Sequence, residues 1–146
     1  MEHVYEMSVN WQVDRKGVMS SPVLNTTIEV ATPPQFPKGM EGIWSPEHLF
    51  VAAINSCLMT TFLSIAENSK LEFVSFDSKA SGTLEMIDGK YLMSEVILMP
   101  VVTITNDEQK DRAERVLQKS EANCLISNSV KSKIIFKPEI KITQAV

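Results

Sequence analysis

The sequence predicts an α+β domain in which antiparallel strands pack with two helices. Three observations predict this class. The chain has 146 residues, a length that suits one domain, and an apolar content of 44%, enough for a core. Its strand-like and helix-like segments alternate in the order ββ–α–ββ–α–β, without repeats or low-complexity tracts. Residues 1–146 are therefore expected to form a single domain.

The first third of the chain contains two predicted strands and an apolar loop. Residues 3–13 and 18–31 are rich in Val, Thr, Ile, Tyr and Trp, and the turn between them contains Gly17, which is free to take a positive φ. Prolines and glycines break regular structure over residues 32–44. That loop still carries four large apolar side chains, which is typical of a packed or functional loop: Phe36, Met40, Ile43 and Trp44.

A long helix is predicted to begin at Ser45-Pro46-Glu47, because Ser caps a helix, Pro suits its first turn and an acid suits its positive end. The helix extends to about residue 68. It is apolar on nearly all sides, which favours a buried helix. Five polar residues argue against a membrane span: Asn55, Ser56, Thr60, Thr61 and Ser64.

The next segment is a predicted hairpin. Strands at about 72–87 and 90–105 flank Asp88-Gly89, the pair preferred in two-residue type I′ turns. We expect these strands to belong to the same antiparallel sheet.

The last part of the chain predicts a second helix and a final strand. Asn106 and Gln109 resemble a capping box for a helix over 107–121, whose apolar stripe comprises Ala113, Val116 and Leu117. An alternating strand follows around 133–142, where Pro138 predicts a sheet edge or a bend.

Charge and composition exclude several classes of function. Fourteen basic and eighteen acidic residues give a net charge of −4, which offers no footprint for nucleic acid or an anionic membrane. His3 and His48 form no metal-binding pattern, so neither a metal nor a cofactor is expected. Residues 1–6 lack the basic-then-apolar order of a signal peptide, and we expect a reducing cytoplasm.

The two cysteines, Cys57 and Cys124, are the strongest candidates for chemistry. Taken alone, each is more typical of a small buried apolar residue than of a reactive thiol. Apolar burial also raises a thiol pKa, so a reactive Cys57 is expected to need a nearby cation. The sequence does not indicate whether the two sulfurs lie close together in space.

The segment Ser45–Cys57 contains Pro-Glu followed by Cys ten positions after the Glu, and Cys124 comes just after the second helix. This combination resembles the OsmC/Ohr family of thiol peroxidases, which reduce organic hydroperoxides in oxidative-stress defence. The resemblance implies that Cys57 is the peroxidatic cysteine and Cys124 the resolving cysteine. It also implies that Arg15 activates the thiolate and that Glu47 holds Arg15 in a bidentate pair.

The resemblance further implies an OsmC-like fold, an intertwined homodimer and an external dithiol reductant, which in better-known members is a lipoyl group. No metal or other cofactor is implied. In many members the second cysteine is followed by Pro, whereas here Leu125 follows Cys124. The exact branch of the family is therefore left open.

Helix geometry adds an expectation about the dimer. Ten residues at about 1.5 Å each place Glu47 about 15 Å along the helix axis from Cys57. One unbroken helix cannot bring the two side chains together, so a second chain is expected to supply the glutamate. The apolar loop side chains, Phe36, Met40, Ile43 and Trp44, then either line an entrance for bulky organic hydroperoxides or pack the dimer.

Two other functions are weighed against the peroxidase. One is a small-molecule or fatty-acyl binding module on the same fold, in which the cysteines do not turn over. The other is a hotdog-type thioesterase, which also pairs a long buried helix with antiparallel strands. The sequence shows no strong set of acidic catalytic residues for a thioesterase.

Overall fold

A computed structural model of the protein describes residues 1–143. The predicted α+β class is confirmed. The described chain has two compact units, residues 1–50 and the residues from 51 onward, and each is described by itself. Their elements are the strands β1 (Ser8–Val13), β2 (Lys16–Ser20) and β3 (Ile28–Ala31), the helix α1 (Pro46–Asn68), the strands β4 (Ser75–Ile87) and β5 (Lys90–Ile104), the helix α2 (Lys110–Ala122), and the strands β6 (Lys133–Phe136) and β7 (Glu139–Ile142).

In the first unit, β1, β2 and β3 form an antiparallel sheet in that order. The prediction of one strand over 18–31 is wrong, because the chain leaves the sheet after Ser20 and returns at Ile28. Pro22 cannot donate to a strand ladder, and Leu24 N instead donates to Ser21 O at 3.2 Å in a turn.

The glycine beside the first turn has another role than the sequence predicts. Asp14, not Gly17, takes the positive φ, at 50°. Gly17 lies inside β2, and a Cβ there would approach Asn10 O to 2.7 Å. The residue is therefore needed for the close approach of two strands.

The surface of this first sheet is unusually apolar. Every residue of β1 is exposed, and Val9 and Trp11, two positions apart, share one face. Trp11 is 77% exposed. Val9, on the same strand, is 65% exposed.

Helix α1 begins where Ser45-Pro46 predicts. Ser45 Oγ accepts from His48 N at 3.1 Å and shares a 2.6 Å hydrogen bond with His48 Nδ1. The expectation of burial on nearly all sides is not met within one chain, where Met59 and Leu63 remain 39% and 42% exposed. One stripe is fully buried: Ile54, Leu58, Phe62 and Ala66.

By length and composition α1 is also apolar enough to cross a bilayer, with a mean hydropathy of 1.9. A single helix of this kind is weak support for a membrane span, since core helices of soluble proteins meet the same criterion.

The second sheet is built on the long β4–β5 hairpin. Asp88 and Gly89 take positive φ values of 50° and 77°, so the predicted type I′ turn is confirmed. The predicted bend at Pro138 is also confirmed, because it separates β6 from β7. Both of these strands pair with β5 in parallel, so the expectation of a wholly antiparallel sheet is wrong there.

The predicted second helix is present as a 3₁₀ turn over Asp107–Gln109 followed by α2. Asn106 caps the turn by accepting from Glu108 N at 2.9 Å. The second bond of the capping box is missing, since Gln109 Oε1 is buried without a partner in the described chain. The predicted apolar stripe of α2 is buried, and it packs in a core of Phe62, Ala66, Leu71, Val102, Ile104, Ala113, Val116 and Leu117.

Candidate functional site

Cys57 lies in the middle of α1 and is partly exposed. Its nearest side-chain partner on the helix is Thr61, one turn further on, whose Oγ1 is 3.9 Å from Cys57 Sγ. Residues four apart lie on the same helix face, so this contact follows from the helix itself. The fold therefore leaves the Cys57 thiol accessible and gives it a hydroxyl neighbour.

Cys124 follows the end of α2 and is fully buried. Ser127 Oγ donates to Cys124 Sγ at 3.2 Å. On the other side, Cys124 Sγ lies 3.8 Å from Ile54 O of α1, toward which the thiol donates. These contacts fix the second sulfur between the turn after α2 and the helix that carries Cys57.

The structure brings the two cysteines together as free thiols. Burial raises the pKa of the Cys57 thiol, but hydrogen bonds oppose it. They come from the backbone of Ile126, the Cys124 thiol, the Thr61 hydroxyl and the backbone of Leu125. Together they hold the pKa of Cys57 below that of an ordinary cysteine, which favours the nucleophilic thiolate.

The pKa of Cys124 moves in the opposite direction. Burial raises it, and the neighbouring Cys57 raises it further, while hydrogen bonds from the side chain and backbone of Ser127 lower it in part. Cys57 therefore ionises before Cys124, so the pair can hold one thiolate beside one protonated thiol.

The expectation that Cys57 needs a nearby cation is not met in the described chain. The groups that lower its pKa are backbone amides, a hydroxyl and a thiol. Leu125, where many family members have Pro, contributes one of these backbone bonds. A proline has no N–H and could not supply it.

The first unit holds the predicted charged residues. Arg15 and Glu47 line one cavity of about 540 Å³, beside the side chains of Val9, Trp11 and Phe36. Arg15 lies in the β1–β2 turn and Glu47 in the first turn of α1. The cavity thus combines an apolar wall with two cations, Arg15 and Lys16, and two carboxylates, Asp14 and Glu47.

The bidentate Arg15–Glu47 pair is not formed within residues 1–143. A salt bridge in this part of the chain joins Lys16 Nζ to Glu29 Oε2 at 2.8 Å. Because Lys16 is paired with Glu29 within the sheet, Arg15 is the better candidate for the cation of the site. The catalytic roles of Arg15 and Glu47 remain predictions.

The four apolar loop residues do not act as one group. Phe36 lines the cavity with Arg15 and Glu47, and Met40 lines a neighbouring cavity of about 470 Å³ that Arg15 shares. Ile43 is half-buried, and Trp44 is 53% exposed. The structure therefore associates Phe36 and Met40 with the charged residues, and not Ile43 or Trp44.

Sequence reasoning missed most of the groups around the sulfurs. Thr61 could have been found from its i+4 spacing to Cys57, and Ser127 from its place three residues after Cys124. The amides of residues 125 and 126 carry no sequence signal, because every residue except proline has one. His48, which is in no metal-binding pattern, hydrogen-bonds Ser45 at the start of α1.

The α+β fold places a cysteine of lowered pKa beside a buried second cysteine, so this is a two-thiol site. The OsmC-like protein family model matches residues 39–139. The chain belongs to this family, and the recognition of the OsmC/Ohr group from sequence is confirmed.

Comparisons with individual proteins agree. The chain is 22% identical over 144 residues to the uncharacterized protein YmaD of Bacillus subtilis, covering 97% of this chain and 95% of that protein. It resembles an OsmC-like protein of unknown function from Vibrio cholerae, with a TM-score of 0.82, 25% identity, and coverage of 94% and 99% of the two chains. It also shares its fold with an organic hydroperoxide resistance protein from Legionella pneumophila, with a TM-score of 0.74, 19% identity, and coverage of 97% and 100%.

Proposed function

We propose that this protein is a cysteine-based peroxidase that reduces organic hydroperoxides to alcohols as a defence against oxidative stress. The observation that carries the proposal is the contact between the two thiols, with the pKa of Cys57 lowered and that of Cys124 raised. Membership of the OsmC family supports it. So do the names of structural neighbours called organic hydroperoxide resistance proteins.

In the first step, the Cys57 thiolate attacks the terminal oxygen of the hydroperoxide. The S–O bond forms as the O–O bond breaks, so sulfur is oxidised to sulfenic acid and the peroxide leaves as an alkoxide that takes up a proton. The amides and hydroxyl around Cys57 stabilise the thiolate before the attack. A cation at the peroxide oxygens would stabilise the charge that develops there.

In the second step, Cys124 sulfur attacks Cys57 sulfur. The S–S bond forms, the S–O bond breaks, and the hydroxide leaves as water with the proton released by Cys124. An external dithiol then supplies two electrons and two protons to restore both thiols. We propose a lipoyl-type dithiol as the reductant and the reducing cytoplasm as the compartment, without a metal or other cofactor.

A second copy of the chain completes the site in this proposal. Glu47 lies ten residues before Cys57 on one continuous helix, so a chain does not bring its own carboxylate to its own sulfur. The exposed apolar face of β1 and the exposed Met59 and Leu63 of α1 support an interface between copies. The cavity with Arg15 and Glu47 of one protomer would then face Cys57 of its partner.

The same cavity suits the proposed substrate. Its wall of Val9, Trp11 and Phe36 favours an apolar organic group over hydrogen peroxide, with Arg15 at the peroxide end. This observation also favours a second candidate, a binding module for a fatty-acyl carboxylate. The thioesterase alternative loses its basis, because the family is OsmC.

The decisive experiment mixes the reduced protein with cumene hydroperoxide and, separately, with hydrogen peroxide. Loss of peroxide and loss of free thiols are followed together. We expect fast consumption of the organic peroxide, two thiols lost per chain, and no consumption by Cys57→Ser because the nucleophilic sulfur is gone.

Cys124→Ser is the matched control. With one equivalent of peroxide it should stop at the Cys57 sulfenic acid; under excess oxidant a second equivalent converts that group to the sulfinic acid. An unchanged rate in Cys57→Ser would refute the proposed peroxidase. Tight, saturable binding of a fatty acid with no peroxide consumption by the wild type would support the binding module instead.

A further inference from the structure

The turn that follows α2 directs hydrogen bonds at the buried sulfur. Asn128 N donates to Cys124 O at 3.0 Å, which closes the turn over residues 124–128. Inside it, Ser127 is buried, and its Oγ donates to Cys124 Sγ at 3.2 Å. The backbone of Ser127 also bonds to this sulfur. One residue thus gives Cys124 two hydrogen bonds.

The other face of the same sulfur meets an acceptor. Cys124 Sγ lies 3.8 Å from Ile54 O, and a carbonyl oxygen can only accept the thiol proton. The Ile54 contact therefore favours the protonated thiol, whereas the Ser127 contacts favour the thiolate. The sulfur lies between a group that holds its proton and a group that stabilises the anion.

We infer that Ser127 is the hydrogen-bond donor that stabilises the Cys124 thiolate as it closes the disulfide onto oxidised Cys57. This inference rests on the proposed peroxidase cycle and assigns Ser127 to its resolving step. In that step Cys124 loses its proton, its electron pair forms the S–S bond, and the oxygen on Cys57 leaves as water with that proton.

The need for such a donor follows from burial. A fully buried thiolate has no water to solvate it, and an unsatisfied charge in that position is strongly disfavoured. A hydroxyl turned toward the sulfur replaces part of that solvation without opening the core. The hydroxyl of the neighbouring Ser129 does something else, since its Oγ donates to Leu125 O at 2.9 Å.

The first test is independent of peroxide chemistry. In a Cys57→Ser background, the ionisation of Cys124 is followed by thiolate absorbance near 240 nm against pH. Ser127→Ala should shift the titration to higher pH, Ser127→Thr should restore it, and Ser129→Ala should leave it unchanged. Thermal melts of each variant confirm that the fold is retained.

The second test uses the full protein. Rapid mixing with one equivalent of cumene hydroperoxide, then acid quench and mass spectrometry, separates sulfenic acid from disulfide. Ser127→Ala should form sulfenic acid at a rate within about twofold of wild type. Disulfide closure at pH 7 should slow by roughly threefold for each tenfold loss of thiolate, because a thiolate of higher pKa is also more nucleophilic. The deficit should shrink at high pH, and Ser127→Thr should reverse it.

Superimposable Cys124 titrations of the Ser127→Ala variant and its parent would overturn the donor role. Equal closure rates at every pH would overturn its place in the resolving step. If no protein in the series consumes peroxide, the proposed peroxidase itself fails. The titration still decides in that case whether Ser127 stabilises the Cys124 thiolate.

Discussion

The two compact units differ in how much of their own structure they bury. The unit from residue 51 onward has a closed core between α1, α2 and β5, and it fixes both sulfurs with hydrogen bonds. The unit of residues 1–50 buries little, and all of β1 is exposed. The two thiols are thus organised within the second unit, whereas Arg15 and Glu47 belong to the first, in the β1–β2 turn and the first turn of α1.

This difference separates two contributions to reactivity. The groups that lower the pKa of Cys57 belong to its own unit, so we expect thiolate formation to persist without Arg15 or Glu47. These two residues would act later, on the peroxide, and only when a second copy brings them to the sulfur. Ionisation should therefore survive changes in the first unit, while turnover should not.

The largest effect is expected from a charge placed on the exposed face of β1. Trp11→Asp puts a charge where Trp11 is 77% exposed in the single chain. If this face joins two copies, a charge there is buried unpaired, and we expect monomers in sedimentation and a loss of peroxidase rate on the order of 100-fold. The ionisation of Cys57 should stay unchanged.

Val23→Asp is the matched control for this change, since Val23 is equally apolar and exposed but lies in the turn between β2 and β3. It should leave both association and turnover intact. A monomeric Trp11→Asp protein with full activity would show that one chain suffices.

A smaller effect is expected from Arg15→Ala. Removing a cation that stabilises the leaving oxygen should lower kcat/KM for cumene hydroperoxide by about 10-fold or more, without moving the pH at which Cys57 ionises. Steady-state kinetics and pH-dependent alkylation measure the two quantities separately. Lys16→Ala removes the neighbouring cation, which pairs with Glu29, and should cost far less. A shifted alkylation profile in Arg15→Ala would assign Arg15 to thiolate formation instead.

The smallest effect is expected from Leu125→Pro, because the group of the site that it removes is a single backbone N–H. As the pH falls through the lowered pKa of Cys57, the thiolate takes up a proton and the peroxide reaction slows. Leu125→Pro removes one N–H that favours the thiolate, so this loss should begin at higher pH, with a rate on the order of threefold lower on the acidic side. Leu125→Ala keeps the N–H and should match wild type in stopped-flow pH profiles. Identical profiles for the Pro and Ala variants would remove the amide from the site.

The sequence predicts the parts of the fold that depend on local chemistry. Asp88-Gly89 specifies its turn and Ser45-Pro46 the start of α1, because caps and positive φ values are properties of single residues. The sequence does not predict the break after Ser20, because Val23, Thr26 and Thr27 favour strand as individual residues. The parallel pairing of β6 and β7 is a tertiary choice that local pattern does not encode.

At the candidate site, too, local motifs are predictable from sequence and tertiary contacts are not. The motif from Glu47 to Cys57, together with the downstream Cys124, identifies the family and the two thiols. The contact between the sulfurs depends on how α2 packs on α1, which no spacing along the chain reveals. The amides of residues 125 and 126 could not be predicted, since their position comes from the turn and not from a side chain.

The contact between the middle of α1 and the turn after α2 joins parts of the chain that are 67 positions apart. A covalent bond there closes a long loop, and in the chain-entropy model it disfavours the unfolded state by about 4 kcal/mol. Linkage makes this relation reciprocal, so native packing favours the closed pair over the open one by the same amount. In the proposed cycle, part of the driving force for forming the disulfide would thus come from the folding free energy of the α1–α2 core. A substitution that loosens this core, far from either sulfur, should make the pair easier to reduce.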